Sequence, residues 1–364
     1  MDSLLVYGAY GYTGRLIARE AVARGGSPIA AGRDARRVAD QAESLDVEGR
    51  VFDLESDDVA AHLADVDAVV NCAGPFTETA EPMLEACLAS GTNYLDITGE
   101  FTVFDRLSRR DQQAAAADVT VLPGVGFEVV PSDCLAAFLA SQLPAADELA
   151  LAVRASPTVS HGTARTILDL AGTGVVRRNG RLLQVPTAYQ HREIDFGDGP
   201  TPAVTAPWGD VVTAAHSTGI ETIEVYVGLP PAARPALPLA GPLAWMADRG
   251  PVAALLERAL EAVDGPDERQ LATGEAVVWG EATDSATGRT VRARVRTPNP
   301  YALTAETAVT AAERVLAGDV DAGFQTPATA FGSEFVLECA GTERERLVAP
   351  PDPEAVDRSL EADD

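Results

Sequence analysis

Short apolar runs separated by amphipathic stretches fill the first third of the chain. The runs lie at residues 3–7, 27–31, 50–52, 68–71, 94–98 and 119–122 and are rich in Val, Ile or Leu. Strands covered on both faces of a parallel sheet read this way, because neither face alternates with solvent. Stretches between them, such as 14–24 and 81–89, carry the apolar period of helices. Six strands with intervening helices predict an α/β domain built on a doubly wound parallel sheet. After Pro131 the pattern changes to longer alternating runs at 148–155, 219–228, 274–283 and 290–297. The last two flank Asp284-Ser285-Ala286-Thr287-Gly288-Arg289, a turn-rich loop, and predict a hairpin in a mixed or antiparallel sheet. Helices are expected to begin near Gly162 and Pro251. A last helix is expected over 305–317, with Ala308, Ala311, Ala312 and Val315 on one face.

The first strand runs into Gly8-Ala9-Tyr10-Gly11-Tyr12-Thr13-Gly14, which opens a helix. In a strand–turn–helix unit such glycines have separate uses. Gly8 allows the tight turn, Gly11 lets a pyrophosphate approach the backbone, and Gly14 lets helix and strand pack closely. The helix N-terminus then offers free N–H groups to the phosphates. This predicts a Rossmann dinucleotide-binding domain over 1–131, joined by a return segment at 300–345. Residues 132–299 would form a second α+β domain for substrate or dimerisation, and the Pro/Asp/Glu-rich tail 349–364 would be disordered.

The second strand ends in Gly32-Arg33-Asp34-Ala35-Arg36-Arg37. An NAD site usually puts an acid here for the ribose hydroxyls. Gly32 leaves space, and the Arg33 guanidinium can grip a 2′-phosphate. NADP is therefore expected over NAD, with Asp34 as the competing ribose acid. Asp53, after the third strand, is a candidate for the adenine amine. Asn71, Ala73, Gly74 and Pro75 close the fourth strand, where small residues let the backbone lie beside the ribose and nicotinamide. The cofactor set is thus Gly8, Tyr10, Gly11, Tyr12, Thr13, Gly14, Arg33, Asp53, Asn71, Ala73, Gly74 and Pro75.

Charge narrows the function classes. The 364 residues carry 55 Asp plus Glu against 28 basic residues, a net charge of -27, and every basic residue is Arg. Such a field repels nucleic acid. With no Lys, Schiff-base chemistry, a P-loop lysine and a Tyr-x-x-x-Lys hydride site are excluded. An acidic, lysine-free surface points to a halophilic protein, since molar salt screens the repulsion. No apolar run is long enough to span a bilayer, and no signal peptide is evident, so a cytoplasmic protein without membrane insertion is expected. The four Cys and four His are scattered, no metal site is expected, and the thiols read as reduced.

Several further motifs extend the pattern: Asn71-Cys72-Ala73-Gly74-Pro75-Phe76, Asn93-Tyr94-Leu95-Asp96-Ile97-Thr98-Gly99-Glu100, Gly124-Val125-Gly126-Phe127-Glu128-Val129-Val130-Pro131-Ser132-Asp133, Ser160-His161-Gly162-Thr163-Ala164 and Gly323-Phe324-Gln325-Thr326-Pro327-Ala328. Together with the glycine turn they resemble the saccharopine dehydrogenase-like family. The nearest branch holds trans-acting enoyl reductases and animal saccharopine dehydrogenase-like oxidoreductases. The resemblance implies an NADP-type Rossmann domain, a second α/β domain and oxidoreductase activity, without implying saccharopine as substrate. Where that branch reads Gly-Phe-Asp, this chain has Gly126-Phe127-Glu128.

Hydride transfer often needs a nearby proton source. The catalytic candidates are Glu100, His161 and Asp96, with Arg165 as an anion grip. A helix cap or a domain-seam hydrogen bond competes with catalysis at each. The apolar stretch 235–246 is either a buried connector or a flap favouring a hydrophobic, acyl or isoprenoid substrate. Two classes follow: an NADPH-dependent reductase of a small molecule, or a non-catalytic NADP-binding redox sensor or scaffold. The second domain is also the expected surface for a homodimer.

Overall fold

The computed structural model describes residues 3–55, 58–155, 160, 174–230 and 265–347. The helices expected near Gly162 and Pro251, the stretch 235–246 and the tail 349–364 lie outside them.

The first sheet is built from β1 (Leu4–Tyr7), β2 (Ile29–Gly32), β3 (Gly49–Val51), β4 (Ala68–Asn71), β5 (Asn93–Asp96) and β6 (Thr120–Leu122). Helices alternate with them: α1 (Tyr12–Ala23), α2 (Ala35–Leu45), α3 (Val59–His62), α4 (Phe76–Ser90), α5 (Phe101–Ser108) and α6 (Asp111–Ala116). All the pairings are parallel, in the order β3-β2-β1-β4-β5-β6, with a two-residue seventh strand after β6. The order reverses between β1 and β4, the switch point beside which such sheets bind ligands. Every residue of β1 and β4 is buried, which is why these strands read as continuous apolar runs. Truncating one of these side chains, such as Leu5, which is fully buried, to Ala would cost about 2–5 kcal/mol.

The chain then enters α7 (Val130–Gln142) and the second sheet. That sheet comprises β7 (Glu148–Ala155), β8 (Gly174–Arg178), β9 (Arg181–Val185), β10 (His191–Asp195), β11 (Pro200–Thr205), β12 (Thr222–Gly228), β13 (Glu275–Asp284) and β14 (Arg289–Pro298). Helix α8 (Asp210–Thr218) precedes β12, and the short α9 (Glu268–Thr273) precedes β13. The sheet is mixed: β12 and β7 run parallel, the other pairs antiparallel. The predicted hairpin forms with Asp284 opposite Arg289. The Asp284 side chain accepts hydrogen bonds from the N–H groups of Ala286 and Thr287, and Gly288 supplies the positive φ.

After β14 the chain returns to the first sheet. Asn299 caps α10 (Pro300–Leu316), whose buried face includes Ala308, Ala311, Ala312 and Val315. Helix α10 packs on α1 and reaches β4 and β5. The seventh strand, β15 (Gly323–Phe324), then pairs with β6, and α11 (Pro327–Phe331) packs on α7. Last, β16 (Glu343–Leu347) pairs with β14. Of the expected return segment, α10 and β15 thus lie on the first sheet and β16 on the second.

Candidate cofactor and active site

The turn from β1 to α1 has the geometry a pyrophosphate needs. Gly8 has φ +79°, and its N–H donates to the Ala31 carbonyl. A Cβ on Gly14 would stand 2.3 Å from the Gly8 carbonyl oxygen, so helix and turn touch only because residue 14 has no side chain. The N-cap of α1 is Gly11, and no side chain caps the helix. Its first N–H groups are therefore left for an anion, which is the observation that fits a dinucleotide here. Gly14→Ala is expected to cost about 1–3 kcal/mol through overpacking, seen as a fall in Tm, and to weaken cofactor binding. The Tyr12 side chain turns away from this turn. Its hydroxyl donates to the Pro266 carbonyl at 2.6 Å, its ring meets Tyr301 edge-on, and burial pushes its pKa up to about 12.

At the end of β2 the structure corrects one detail. Gly32 does not leave open space: the Tyr10 ring lies across it, and a Cβ at residue 32 would sit 2.5 Å from that ring. Arg37 stacks on Tyr10 at 4.4 Å from the ring centre. Asp34 is the N-cap of α2, where one carboxylate oxygen accepts from the N–H groups of both Arg36 and Arg37. Arg36 extends toward Asp40 and is exposed. Arg33 is exposed and has no ion-pair partner among the described residues. Asp53 accepts a hydrogen bond from the Glu55 N–H, so it shapes its own turn.

The loop after β4 is held from within. Asn71 is fully buried; its carbonyl accepts from the Ala73 N–H and its amide donates to the Thr79 hydroxyl. Thr79 in turn donates to the Ala73 carbonyl. Ala73 packs against the turn at Gly8, where a Cβ would come within 3.0 Å of the Ala73 nitrogen. Gly74 is exposed and Pro75 half-buried at the mouth of this loop.

Glu100 and Asp96 are both committed to local structure. The Glu100 carboxylate accepts from the N–H groups of Phe76 and Thr77, each at 3.2 Å, and so caps α4 from across the sheet end. Asp96 accepts from the Tyr94 hydroxyl at 2.7 Å, the Thr98 N–H and the Gly124 N–H. It ties the end of β5 to the loop after β6, and burial raises its pKa to about 6 despite these donors. His161 and Arg165 lie outside the described residues.

Sequence reasoning missed a carboxyl that the fold brings to the same place. Glu128 lies in the loop between β6 and α7, with Oε2 3.0 Å from the position a Cβ on Gly99 would take. Trp208 joins these loops: its backbone bridges to Glu100, and its indole N–H donates to the Glu128 carbonyl at 2.6 Å. The half-buried Glu128 carboxyl makes no hydrogen bond to a described residue, and burial raises its pKa to about 7. Behind it, Asp210 at the start of α8 is fully buried, and burial holds its pKa far above the usual range despite the Ser132 side chain beside it. Asp133 is buried too, but accepts from the Ser217 hydroxyl and the Ala328 N–H. The available signal was an acid inside an otherwise apolar run, Val125–Val130 by number 125–130.

All four cysteines are free, three of them buried. Among the described residues no helix is long and apolar enough to cross a membrane.

Comparison with known proteins agrees with this geometry. Residues 4–122 match the saccharopine dehydrogenase NADP binding domain. A Mycobacterium tuberculosis protein is 32% identical over 139 residues, 36% of this chain and 33% of that one. A trans-acting enoyl reductase of Mycobacterium leprae is 31% identical over 140 residues, again 36% of this chain and 33% of the relative. The chain thus aligns with about a third of the length of these curated relatives. The apo saccharopine dehydrogenase (L-Glu forming) of Saccharomyces cerevisiae shares the fold, with a TM-score of 0.68 at 11% identity, covering 96% of this chain and 100% of that one.

Proposed function

Residues 4–122 match the saccharopine dehydrogenase NADP binding domain, and from that premise we propose that the chain is an NADPH-dependent reductase of a small molecule. The observation that carries the proposal is the uncapped N-terminus of α1 behind the Gly8–Gly11–Gly14 turn, with Arg33 at the end of β2 unpaired among the described residues. When bound, NADPH supplies a hydride. The N–H groups at the start of α1 would hold its pyrophosphate and Arg33 its 2′-phosphate. Asn71 keeps the loop 71–75 in shape, and Glu100 fixes α4 beside it, so both act as positioning residues. The substrate would enter at the carboxyl ends of β4, β5 and β6, where Trp208 brings the second sheet's elements against the first.

For the substrate class we propose an α,β-unsaturated acyl thioester, supported by relatives named as trans-acting enoyl reductases. The four free thiols suit a reducing, cytoplasmic setting. The test is to follow NADPH absorbance in molar salt with a short enoyl thioester. Consumption of NADPH with formation of the saturated acyl product is expected. Tight NADPH binding with no oxidation by enoyl or carbonyl acceptors would favour a non-catalytic NADP-binding protein instead.

A further inference from the structure

The carboxyls around the ends of β5 and β6 fall into two groups. Asp96, Glu100 and Asp133 each accept from at least two donors, so these acids build the loops they sit in. Asp210 is sealed from solvent and cannot meet a ligand. Glu128 alone among these five is only half-buried and makes no hydrogen bond to a described residue. It lies over Gly99, whose missing side chain is what makes room for it. Its backbone is fixed on both sides: Trp208 binds its carbonyl, and the Phe127 N–H donates to the Thr304 hydroxyl of α10 at 2.9 Å. A side chain held this way, at the sheet end where the reacting half of a dinucleotide belongs, meets the geometric requirement for a proton donor.

We propose that Glu128 delivers the proton that accompanies hydride transfer. The inference rests on the reductase reading given above. In the step, the hydride and its electron pair form a C–H bond at one end of a polarised double bond of the substrate. The displaced π electrons take the proton from the Glu128 carboxyl at the other end, and the resulting carboxylate regains a proton from water at its exposed edge. Its pKa near 7 keeps the acid form populated at neutral pH. Among the described residues, the titratable group whose charge acts with that of Glu128 is another acid, Asp210 of α8; α10 presents the uncharged Thr304. None of the described arginines or histidines pairs with it.

The test needs no substrate. The oxidised cofactor carries a positive charge on its nicotinamide ring and the reduced one does not. If Glu128 lies against that ring, NADP+ favours the carboxylate and NADPH favours the acid. By reciprocity, NADP+ should bind progressively tighter relative to NADPH as pH rises through neutrality. The 2′-phosphate titrates in both cofactors and cancels in the ratio. Dissociation constants of NADP+ and NADPH are measured across neutral pH for the native protein, Glu128→Gln and Glu128→Asp. The native ratio should change by about tenfold for each unit of pKa difference between the two complexes. Glu128→Gln should abolish the change and Glu128→Asp retain it. Infrared difference spectra should show loss of a protonated carboxyl band on NADP+ binding to the native protein, whether or not either variant folds. A flat native ratio, no infrared change, or a pH dependence that survives in Glu128→Gln would overturn the role of Glu128. Failure of either cofactor to bind would instead overturn the reductase reading.

Discussion

Moving the protein from molar salt to about 0.1 M should unfold it. Its acids exceed its arginines by the full net charge of -27. Where arginines sit near acids they are largely paired already. Arg50 bridges Glu48 and Asp65, and Arg192 and Arg292 share Glu281. The excess carboxylates therefore face one another across solvent. At about 1 M salt the screening length is about 3 Å and they hardly interact; at about 0.1 M it is about 10 Å, and repulsion spans neighbouring elements. Burial raises the pKa of Asp96, Asp133 and Asp210, so these acids lower native-state stability further at any pH above the ordinary carboxyl range. Surface ion pairs, worth about 0–1 kcal/mol each, do not offset this. Circular dichroism during dialysis checks it: loss of the far-ultraviolet signal is expected, and a full signal with cofactor binding at low salt would count against a halophilic protein.

Replacing Arg33 with Ala should weaken NADPH binding by about 10–100-fold while leaving NADH little changed. A charge-assisted hydrogen bond contributes about 1.5–3 kcal/mol, and about 1.4 kcal/mol is tenfold in affinity. The structure separates Arg33 from its neighbours. Arg37 is stacked on Tyr10, Arg36 extends toward Asp40, and Asp34 spends a carboxylate oxygen capping α2. Arg33 is the one of these four side chains without a partner among the described residues. Arg36→Ala should therefore change NADPH affinity far less. Equal losses for NADPH and NADH in Arg33→Ala would show that the side chain supports the fold rather than the 2′-phosphate.

The first sheet was legible because its strands are short and, apart from the edge strand β3, almost wholly buried, so apolar runs and strands coincide to within a residue or two. The second sheet was legible only where strands are long. The hairpin β13–β14 announced itself because each strand is ten residues long, β13 nearly continuously buried and β14 alternating, across a turn-rich loop. Strands β8 to β11 did not, because they are five or six residues long and carry polar or charged positions. The sequence Glu-Arg-Glu-Arg-Leu of β16 has almost no apolar signal; its place is set by pairing with β14. At the site, the glycine turn was visible because its residue types have few other uses. The commitments of Asp34, Asp96 and Glu100 were not, since a carboxylate that caps a distant helix looks the same in sequence as one that donates a proton. Glu128 was hidden for the converse reason: its importance comes from what does not contact it.

The measurement that bears most directly on the whole account is the structure of the protein with NADPH bound in molar salt. The pyrophosphate is expected at the N-terminus of α1, the 2′-phosphate in contact with the Arg33 guanidinium and the nicotinamide ring beside the Glu128 carboxyl. A cofactor held elsewhere, or one whose adenosine ribose is gripped by Asp34 with Arg33 turned away, would contradict it.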